Sequence, residues 1–271
     1  MKNLIRSLIL LFILSLLSIY IIYIDSTTGA LTRLTVTKTE IIHKSIPSSM
    51  DGLTFVYLSD IHAYTLDGTY YEEVFTRVNE LKPDFIFIGG DLLDNMTLSD
   101  DQVLKMIDWL NTLEAPLGKF AVLSELDLVK EETVRAIYAQ SNIEILENEV
   151  VDLHNKTIDS IQLIGLTSQS NDVLSSIEQA KFNIVLSYDP AIYSDWKDMD
   201  IELFLGAKTH GGQVNLPLYG SLFSEAKGNY IRGIYKTDKS QMFVSNGIGV
   251  SDLRARWLND PTIYYFMLYK E

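Results

Sequence analysis

Hydrophobic and polar positions along the chain form two different patterns, of which the first covers the N-terminus. Residues 8–24 carry no charge, proline or glycine. With Leu4 and Ile5 added, and with the head of Arg6 able to reach water, this run approaches the ~20 residues that cross a bilayer as a helix. A cleaved signal peptide is the alternative, but its apolar core usually has only about 7–15 residues. The pattern favours an uncleaved membrane helix over residues 4–24.

The charges at the two ends of this run indicate its orientation. Lys2 and Arg6 precede it and Asp25 follows it, and basic flanks favour the cytoplasmic side of a membrane. The bias is mild, because Arg33 and other basic residues follow within reach. We therefore expect a single-pass protein of the cell membrane, with membrane lipid around its helix and its C-terminal domain outside the cytoplasm.

The second pattern alternates short apolar runs with amphipathic stretches, which is typical of an α/β domain. Runs rich in Val, Ile, Leu and Phe predict buried strands at Leu53–Ser59, Asp84–Gly89, Lys119–Ser124, Ile161–Leu166, Phe182–Ser187 and Glu202–Gly206. Helical periodicity is present at Tyr70–Leu81, Asp101–Leu113, Glu131–Gln140 and Asp172–Ala180. Beyond Gly211 this periodicity disappears, and we predict an antiparallel region with strands at Asn229–Lys236, Gln241–Ser245 and Thr262–Lys270.

Length and composition limit the organisation and the partners. The 271 residues, 47% of them hydrophobic, suit one domain with a core plus an anchor. We expect a transmembrane anchor at residues 1–26, a linker with a first strand at 27–50, and one domain at 51–271. The formal net charge of -14 argues against nucleic acid as a partner. The absence of cysteine excludes thiolate chemistry and leaves His, Asp, Glu and Asn as strong metal ligands.

Polar clusters follow three of the predicted strands. They are Ser59-Asp60-Ile61-His62, Gly90-Asp91-Leu92-Leu93-Asp94 and Lys208-Thr209-His210-Gly211-Gly212. Binding sites in open α/β sheets form where strands end. A single Asp-x-His is weak evidence for a metal site, but the ordered combination of the three clusters is much stronger.

In this order and spacing, the clusters resemble the motifs of the calcineurin-like metallophosphoesterases, particularly their membrane-anchored bacterial branch, from about residue 35 to the C-terminus. The family pattern is Asp-x-His, Gly-Asp-x-x-Asp, Gly-Asn-His-Asp/Glu, a lone His, and Gly-His-x-His. It holds two metal ions, bridged by the Asp of Gly-Asp, around a hydroxide that attacks phosphorus. The resemblance implies an αββα sandwich, in which two packed β-sheets are flanked by helices, and metal-dependent hydrolysis of phosphate esters or anhydrides.

Carried over residue by residue, the resemblance leaves the first metal site intact. The implied ligands are Asp60 and His62 of Asp-x-His, the bridging Asp91, and His210. Two imidazoles and two carboxylates suit zinc, manganese or iron. We therefore expect one divalent ion, or none if the site has lost its function. Asp94 matches the last Asp of its motif, where a role in orienting the metal ligands is implied.

The second metal site has lost its own ligands by the same comparison. Where the family has Gly-Asn-His-Asp, this chain has Ser124-Glu125-Leu126-Asp127, so that Leu126 replaces the catalytic His. Tyr188 stands in place of the lone His, and Lys208 in place of the first His of His-x-His. The chain's 4 histidines are fewer than these motifs require. The two outside the motifs are expected to be ordinary surface residues, namely His43 and His154.

Two interpretations of Lys208 remain open. Its side chain either points to solvent or forms an ion pair with Glu125 that fills the second site and puts a positive charge beside Asp91. A buried pair of this kind needs good geometry to offset its desolvation. In the second interpretation, Lys208 is a candidate surrogate for the missing cation, and it repels a second divalent ion.

Three functions are compatible with this sequence. The first is a hydrolase of phosphate-containing small molecules or lipids, weakened because loss of a general acid–base His costs about 10²- to 10⁴-fold. The second is a non-catalytic pseudoenzyme, an extracytoplasmic binding or regulatory domain, which exposed apolar surface would support around Tyr219, Leu222, Phe223 and Trp257. The third is a small-anion binder that uses Lys208, Arg254 and Arg256.

Overall fold

Two six-stranded β-sheets pack face to face in the computed structural model, and helices cover their outer faces. The structure describes residues 2–94, 98–167, 172–199, 201–222, 230–251 and 253–271. The predicted arrangement of two packed sheets flanked by helices, with an apolar helix at the N-terminus, is confirmed.

The elements follow one another along the chain much as the hydrophobic pattern predicts. The α-helices of the described residues are α1 (Lys2–Thr27), α2 (Gly68–Glu80), α3 (Asp100–Asn111), α4 (Glu125–Val129), α5 (Glu131–Gln140) and α6 (Tyr193–Trp196). The first seven strands are β1 (Thr35–His43), β2 (Thr54–Leu58), β3 (Phe85–Ile88), β4 (Gly118–Ala121), β5 (Glu144–Ile145), β6 (Glu149–His154) and β7 (Ser160–Leu166). The others are β8 (Asn183–Ser187), β9 (Leu203–Gly206), β10 (Asn215–Leu216), β11 (Gly220–Ser221), β12 (Gly233–Lys236), β13 (Gln241–Val244) and β14 (Thr262–Lys270).

Helix α1 presents apolar side chains to its surroundings all round. Its residues from Leu4 to Ile24 are exposed or nearly so, and Ser26 near its end is buried. A helix that is apolar on every side is suited to lipid rather than water. By length and composition, α1 is able to cross a membrane.

Strand order places the carboxyl ends of several parallel strands at one edge. The first sheet has the order β1-β14-β2-β3-β4-β5, with β2 to β5 parallel, and the second has the order β12-β13-β9-β8-β7-β6, with β7, β8, β9 and β13 parallel. The three polar clusters follow β2, β3 and β9. The fold therefore brings them to a common edge, as is usual for sites in α/β sheets.

The prediction of one antiparallel region at the C-terminus is wrong. Strand β13 pairs antiparallel with β12 but parallel with β9, and β14 lies in the other sheet between β1, which is parallel to it, and β2, which is antiparallel. Alternation of apolar residues identifies a strand and its buried face, but it does not identify the strand's partner. The point at which helical periodicity ends was predicted correctly, but the pairing of the strands beyond it was not.

The predicted helix at Asp172–Ala180 is also shorter than expected. Within this range, the structure has a short 3₁₀ helix at Asp172–Ser176 in place of the predicted α-helix. Just beyond it, the backbone N–H of Glu178 donates to the side-chain Oε1 of Gln162 on β7 at 2.7 Å. That N–H is consequently unavailable to a carbonyl one turn earlier, and the helix does not continue.

Aromatic and branched side chains fill the space between the sheets. Phe55 of β2 packs against Phe87 of β3 and Phe266 of β14, with ring centroids 4.8 and 4.7 Å apart, and β8 and β9 contribute Leu186 and Leu205 from the facing sheet. These side chains are fully buried. The strands that carry the polar clusters are therefore anchored in a rigid core.

Candidate metal centre

Four of the residues singled out from the sequence lie together at the carboxyl edge of the sheets. One ligand atom from each of Asp60, His62, Asp91 and His210 lies within 4.8 Å of the others, and all four residues are buried. The Nε2 atom of His62 is 3.1 Å from His210 Nε2 and 3.3 Å from Asp91 Oδ2. His210 Nε2 is 3.8 Å from Asp60 Oδ1.

Each of these four residues has a backbone in the left-handed region. Their φ angles are +46°, +42°, +54° and +49° for Asp60, His62, Asp91 and His210. In a residue other than glycine this conformation costs roughly 1–2 kcal/mol, and it persists where surrounding contacts enforce it, commonly at functional sites. The same conformation at all four positions is typical of functional side chains held in place by their surroundings.

Backbone hydrogen bonds join the two acidic loops. The N–H of Asp60 donates to the carbonyl of Gly90 at 3.0 Å, and the N–H of His62 donates to the carbonyl of Asp91 at 2.9 Å. Gly90 has a φ of +94°, and a Cβ there would lie 3.1 Å from the backbone nitrogen of Ser124. The Gly-Asp sequence thus allows the close approach that presents Asp91 to the cluster.

Asp127, to which the motifs assigned no role, holds the loop that carries Asp91 through hydrogen bonds to the backbone. Its buried carboxylate accepts the backbone N–H groups of Asp91 at 2.9 Å, Leu92 at 3.0 Å and Ser124 at 3.0 Å. Burial and the neighbouring Asp91 carboxylate raise the pKa of Asp127 to about 6. A signal was present in the sequence, since Ser124 and Asp127 have the spacing of a capping box, and they form one at the start of α4.

Burial and mutual contacts shift the pKa values of the candidate ligands in different directions. Burial, followed by the Asp91 charge, raises the pKa of Asp60 to about 7. Burial lowers the pKa of His62, but hydrogen bonds to Asp91 and Asp94 outweigh it and bring that pKa to about 10. Burial and the neighbouring His62 lower the pKa of His210 well below its usual value. The carboxylates of Asp91 and Asp94 therefore favour a positive charge on the His62 ring.

The donor set and its spacing fit one divalent ion. Atoms about 2.0–2.1 Å from a tetrahedrally bound zinc are about 3.4 Å from one another, close to the 3.1, 3.3 and 3.8 Å separations in the cluster. Among the described residues, the buried Oδ1 of Asp91 has no hydrogen-bond partner. A buried carboxylate oxygen is normally satisfied, and a metal ion would satisfy it.

Asp94 lies behind His62 as the resemblance implied. Its Oδ1 is 3.4 Å from His62 Nδ1, while Nε2 of the same ring faces the cluster. A carboxylate on the far nitrogen of a ligating imidazole fixes the ring orientation and raises its basicity. Lys130 donates to the backbone carbonyl of Asp94 and so helps to hold this loop.

The positions of the second site are occupied by side chains that bond to one another. The Tyr188 hydroxyl donates to Asp91 Oδ2 at 2.6 Å. Lys208 Nζ donates to Asp189 Oδ2 at 2.8 Å and to Glu125 Oε1 at 3.0 Å. Lys208 therefore forms the ion pair with Glu125 that one of the two interpretations expected. Asp189 is a second partner, which the motifs did not suggest.

Lys208 does not lie directly beside Asp91, where the ion-pair interpretation expected it. Tyr188 separates them, because its hydroxyl bonds to Asp91 while Lys208 Nζ lies 5.5 Å from its ring centroid. Burial raises the pKa of Asp91, but His62, Ser124 and Tyr188 outweigh burial and lower it. Burial lowers the pKa of Lys208, but hydrogen bonds to Asp189 and Glu125 raise it overall.

The remaining candidates are dispersed. Arg256 is fully buried and donates to the carbonyls of Gly249 and Asn259, so it is not available to a small anion, and the anion-binder interpretation loses that residue. His43 and Trp257 are half-buried, and Phe223 lies outside the described residues. The exposed candidates are Arg254, His154, Tyr219 and Leu222. Leu126 is half-buried and offers no ligand atom.

Comparison with known proteins supports the interpretation of the motifs. The chain matches no model of a known protein family. It is 29% identical over 236 residues to the Bacillus subtilis protein named "Uncharacterized metallophosphoesterase YkuE", covering 82% of this chain and 81% of that protein. A second B. subtilis protein, "Uncharacterized metallophosphoesterase YkoQ", is 26% identical, with 80% and 83% covered.

A relative from cattle adds a membrane helix to the comparison. The Bos taurus "Transmembrane protein with metallophosphoesterase domain" is 28% identical over 78% of this chain, which spans 52% of that protein's length. Its name and helix α1 both fit a single-pass membrane protein. Motif order, sandwich fold and these relatives together support the resemblance to the calcineurin-like metallophosphoesterases that the motifs predicted.

Proposed function

We propose that this protein is a membrane-anchored metallophosphoesterase relative that binds one divalent ion and hydrolyses phosphate esters or anhydrides slowly, if at all. Residues 1–26 are its anchor, residues 27–50 its linker and first strand, and residues 51–271 the domain that holds the ion, outside the cytoplasm. Asp60, His62, Asp91 and His210 are the proposed ligands. Zinc, manganese and iron all suit this donor set.

One observation carries the proposal: the four proposed ligands are buried, strained and directed at one point, while the residues at the second site satisfy one another. The buried Oδ1 of Asp91, which has no hydrogen-bond partner, favours an ion at the first site, whereas the ammonium group of Lys208 puts a positive charge at the second. When bound, one ion supplies Lewis-acid polarisation of a phosphoryl oxygen.

Slow chemistry follows from what this chain lacks at the second site. Leu126 cannot transfer a proton, which by itself removes about 10²- to 10⁴-fold if the family's His acts as an acid. With one ion, only one side of the in-line displacement is stabilised. Lys208 is the proposed partial substitute, because its ammonium group lies behind Tyr188 at the edge of the site.

The second candidate is a non-catalytic binding domain. It is favoured by the Tyr188–Asp91 hydrogen bond, which ties up one oxygen of the carboxylate that would bridge two ions. In this case, the same ion would hold a phosphate-containing small molecule or lipid without cleaving it.

Turnover distinguishes the two candidates from an ordinary enzyme. The full chain in detergent would be loaded with Zn²⁺, Mn²⁺ or Fe²⁺ and assayed on a generic phosphodiester and phosphomonoester panel, with and without a chelator. We expect rates below the ~1 s⁻¹ at the low end for enzymes, and any residual rate should vanish with the chelator. Turnover at 1–10³ s⁻¹, which is about the ordinary range, would contradict the proposal.

A further inference from the structure

The anchor joins the domain at the same edge as the candidate metal centre. Strand β1 begins at Thr35 opposite Thr262, the first residue of β14, and β14 runs antiparallel to β2 with Tyr264 opposite Tyr57. Thr262 therefore lies beyond the carboxyl end of β2, which is the end that Asp60 follows. The chain enters the domain at the site edge rather than at the opposite one.

The connection between anchor and domain is short and packed. Residues 28–34, seven positions, separate α1 from β1, so the connection spans at most about 25 Å even if fully extended. Ala30 and Leu31 in it are buried. Arg33 pairs with Asp25 at 2.5 Å and with Asp260 at 3.3 Å. The site edge is consequently held close to the end of the membrane helix.

One loop connects the end of α1 to a small hairpin, because its backbone forms hydrogen bonds to both. The backbone N–H of Arg256 donates to the carbonyl of Ser26 at 2.8 Å. The next residue, Trp257, donates to the Gln213 carbonyl at 3.0 Å and accepts from the Asn215 N–H at 2.9 Å. Asn215 begins β10, which pairs with β11. Anchor, loop and hairpin thus form one continuous structure.

Large apolar side chains project from this structure into solvent. Relative exposures are 110% for Leu218, 76% for Tyr219 and 44% for Leu222 in and beside the hairpin, and 38% for Leu253 and 56% for Leu258 in the loop. Leu218 has a φ of +66° at the hairpin tip, a conformation that is unusual for a leucine. Exposed apolar residues on segments that are hydrogen-bonded to one another are typical of a contact surface.

We propose that these five residues, here called the hairpin patch, insert into the interface of the bilayer that α1 spans. The bilayer is the proposed occupant because α1 fixes the patch beside it. Burying leucine side chains in the acyl boundary is favourable because it removes apolar surface from water, and tyrosine prefers the headgroup level. The patch therefore holds the site edge against lipid headgroups.

Single-cysteine labelling tests this directly, since the chain has no cysteine of its own. Leu218→Cys and Tyr219→Cys would each be labelled with an environment-sensitive fluorophore in the full chain, which is then reconstituted into phospholipid nanodiscs. The matched control is Ile158→Cys, which is 95% exposed in the turn before β7, about 20 Å from the site edge along that strand. Quenching is measured with nitroxide-bearing lipids and with aqueous iodide.

We expect both patch labels to be quenched at least threefold more strongly by the nitroxide lipid than the Ile158→Cys label, and to be protected from iodide. Patch labels as open to iodide as the control would overturn the proposal. Labels protected from iodide but untouched by nitroxide lipid would also overturn it, because a second copy or another protein would then cover the patch. The proposal rests on α1 as the membrane anchor, but neither readout depends on metal or hydrolysis, so the proposed metal site and its chemistry stand or fall separately.

Discussion

The two halves of the candidate centre use similar polar residues with opposite results. In the first half, Asp60, His62, Asp91 and His210 are buried in strained conformations, and their ligand atoms face one point. In the second half, Lys208 lies between Glu125 and Asp189, so its ammonium group is already paired within the protein. Ligand-type residues alone therefore do not make a metal site. What matters is whether their polar atoms are already satisfied by one another.

Restoring the second half should have the largest effect. The variant Glu125→Asn, Leu126→His, Tyr188→His and Lys208→His replaces the internal ion pairs with ligands and a proton donor. We expect a second bound ion and a rise in phosphodiester hydrolysis of about 10²- to 10⁴-fold, measured by initial rates and metal analysis.

A three-residue variant that retains Leu126 is the control for that experiment. It should gain the second ion but little of the rate, because it lacks the proton donor. If the four-residue variant binds one ion and remains as slow as the original chain, the second half was not the cause of weak activity.

Removing the support beneath the first half should reduce stability strongly. Asp127→Ala deprives three buried backbone N–H groups of their acceptor, at about 1–3 kcal/mol each. We expect the free energy of unfolding to fall by about 3 kcal/mol or more, measured by urea titration of the full chain in detergent. Asp159→Ala is the control, because its exposed carboxylate bonds only to Ser49 Oγ among the interactions described; equal effects of the two variants would refute the assigned role.

Disturbing the orientation of His62 should lower the metal affinity of the first half by a moderate factor. Asp94→Asn replaces the carboxylate beside His62 Nδ1 with a neutral amide, and losses of about 10- to 100-fold in metal affinity are typical for such partners. Competition with a fluorescent chelator would measure the change. Asp100→Asn, at the exposed start of α3, should leave the affinity unaltered, and an affinity unchanged in Asp94→Asn as well would remove Asp94 from the site.

Breaking the ion pairs of the second half should have the smallest effect. Glu125 is 68% exposed and Asp189 30% exposed, so solvent screens both pairs, and such pairs contribute about 1 kcal/mol or less. We expect Lys208→Met to lower the free energy of unfolding by no more than this. A loss above about 3 kcal/mol, a size reported for breaking buried pairs, would mean that the pair is a structural element of the fold.

The sequence revealed the strands and the first half of the site for a physical reason. Buried parallel strands are continuous apolar runs, so β2, β3 and β9 stand out, and the polar residues after them are conspicuous. Partners in space are less visible. Neither the parallel pairing of β13 with β9 nor the place of β14 between β1 and β2 leaves a mark in local periodicity.

The contacts of the second half were harder to infer for a related reason. The Glu125–Lys208 pair could be suggested from motif positions, but Tyr188 and Asp189 acquire their roles where the end of β8 meets the loops that follow β3 and β9. The burial of Arg256 under backbone carbonyls was equally hidden, because a loop arginine in a sequence suggests an exposed charge. Such roles depend on tertiary packing rather than on residue type.

Metal stoichiometry is the direct test of a single metal site in this protein. The full chain would be purified in detergent, equilibrated with Zn²⁺, Mn²⁺ or Fe²⁺, freed of loosely bound ions and analysed for metal per chain, beside His210→Ala and the exposed-histidine control His154→Ala. We expect close to one ion per chain in the original protein and in His154→Ala, and none in His210→Ala. Two ions per chain in the original protein, or one retained in His210→Ala, would contradict it.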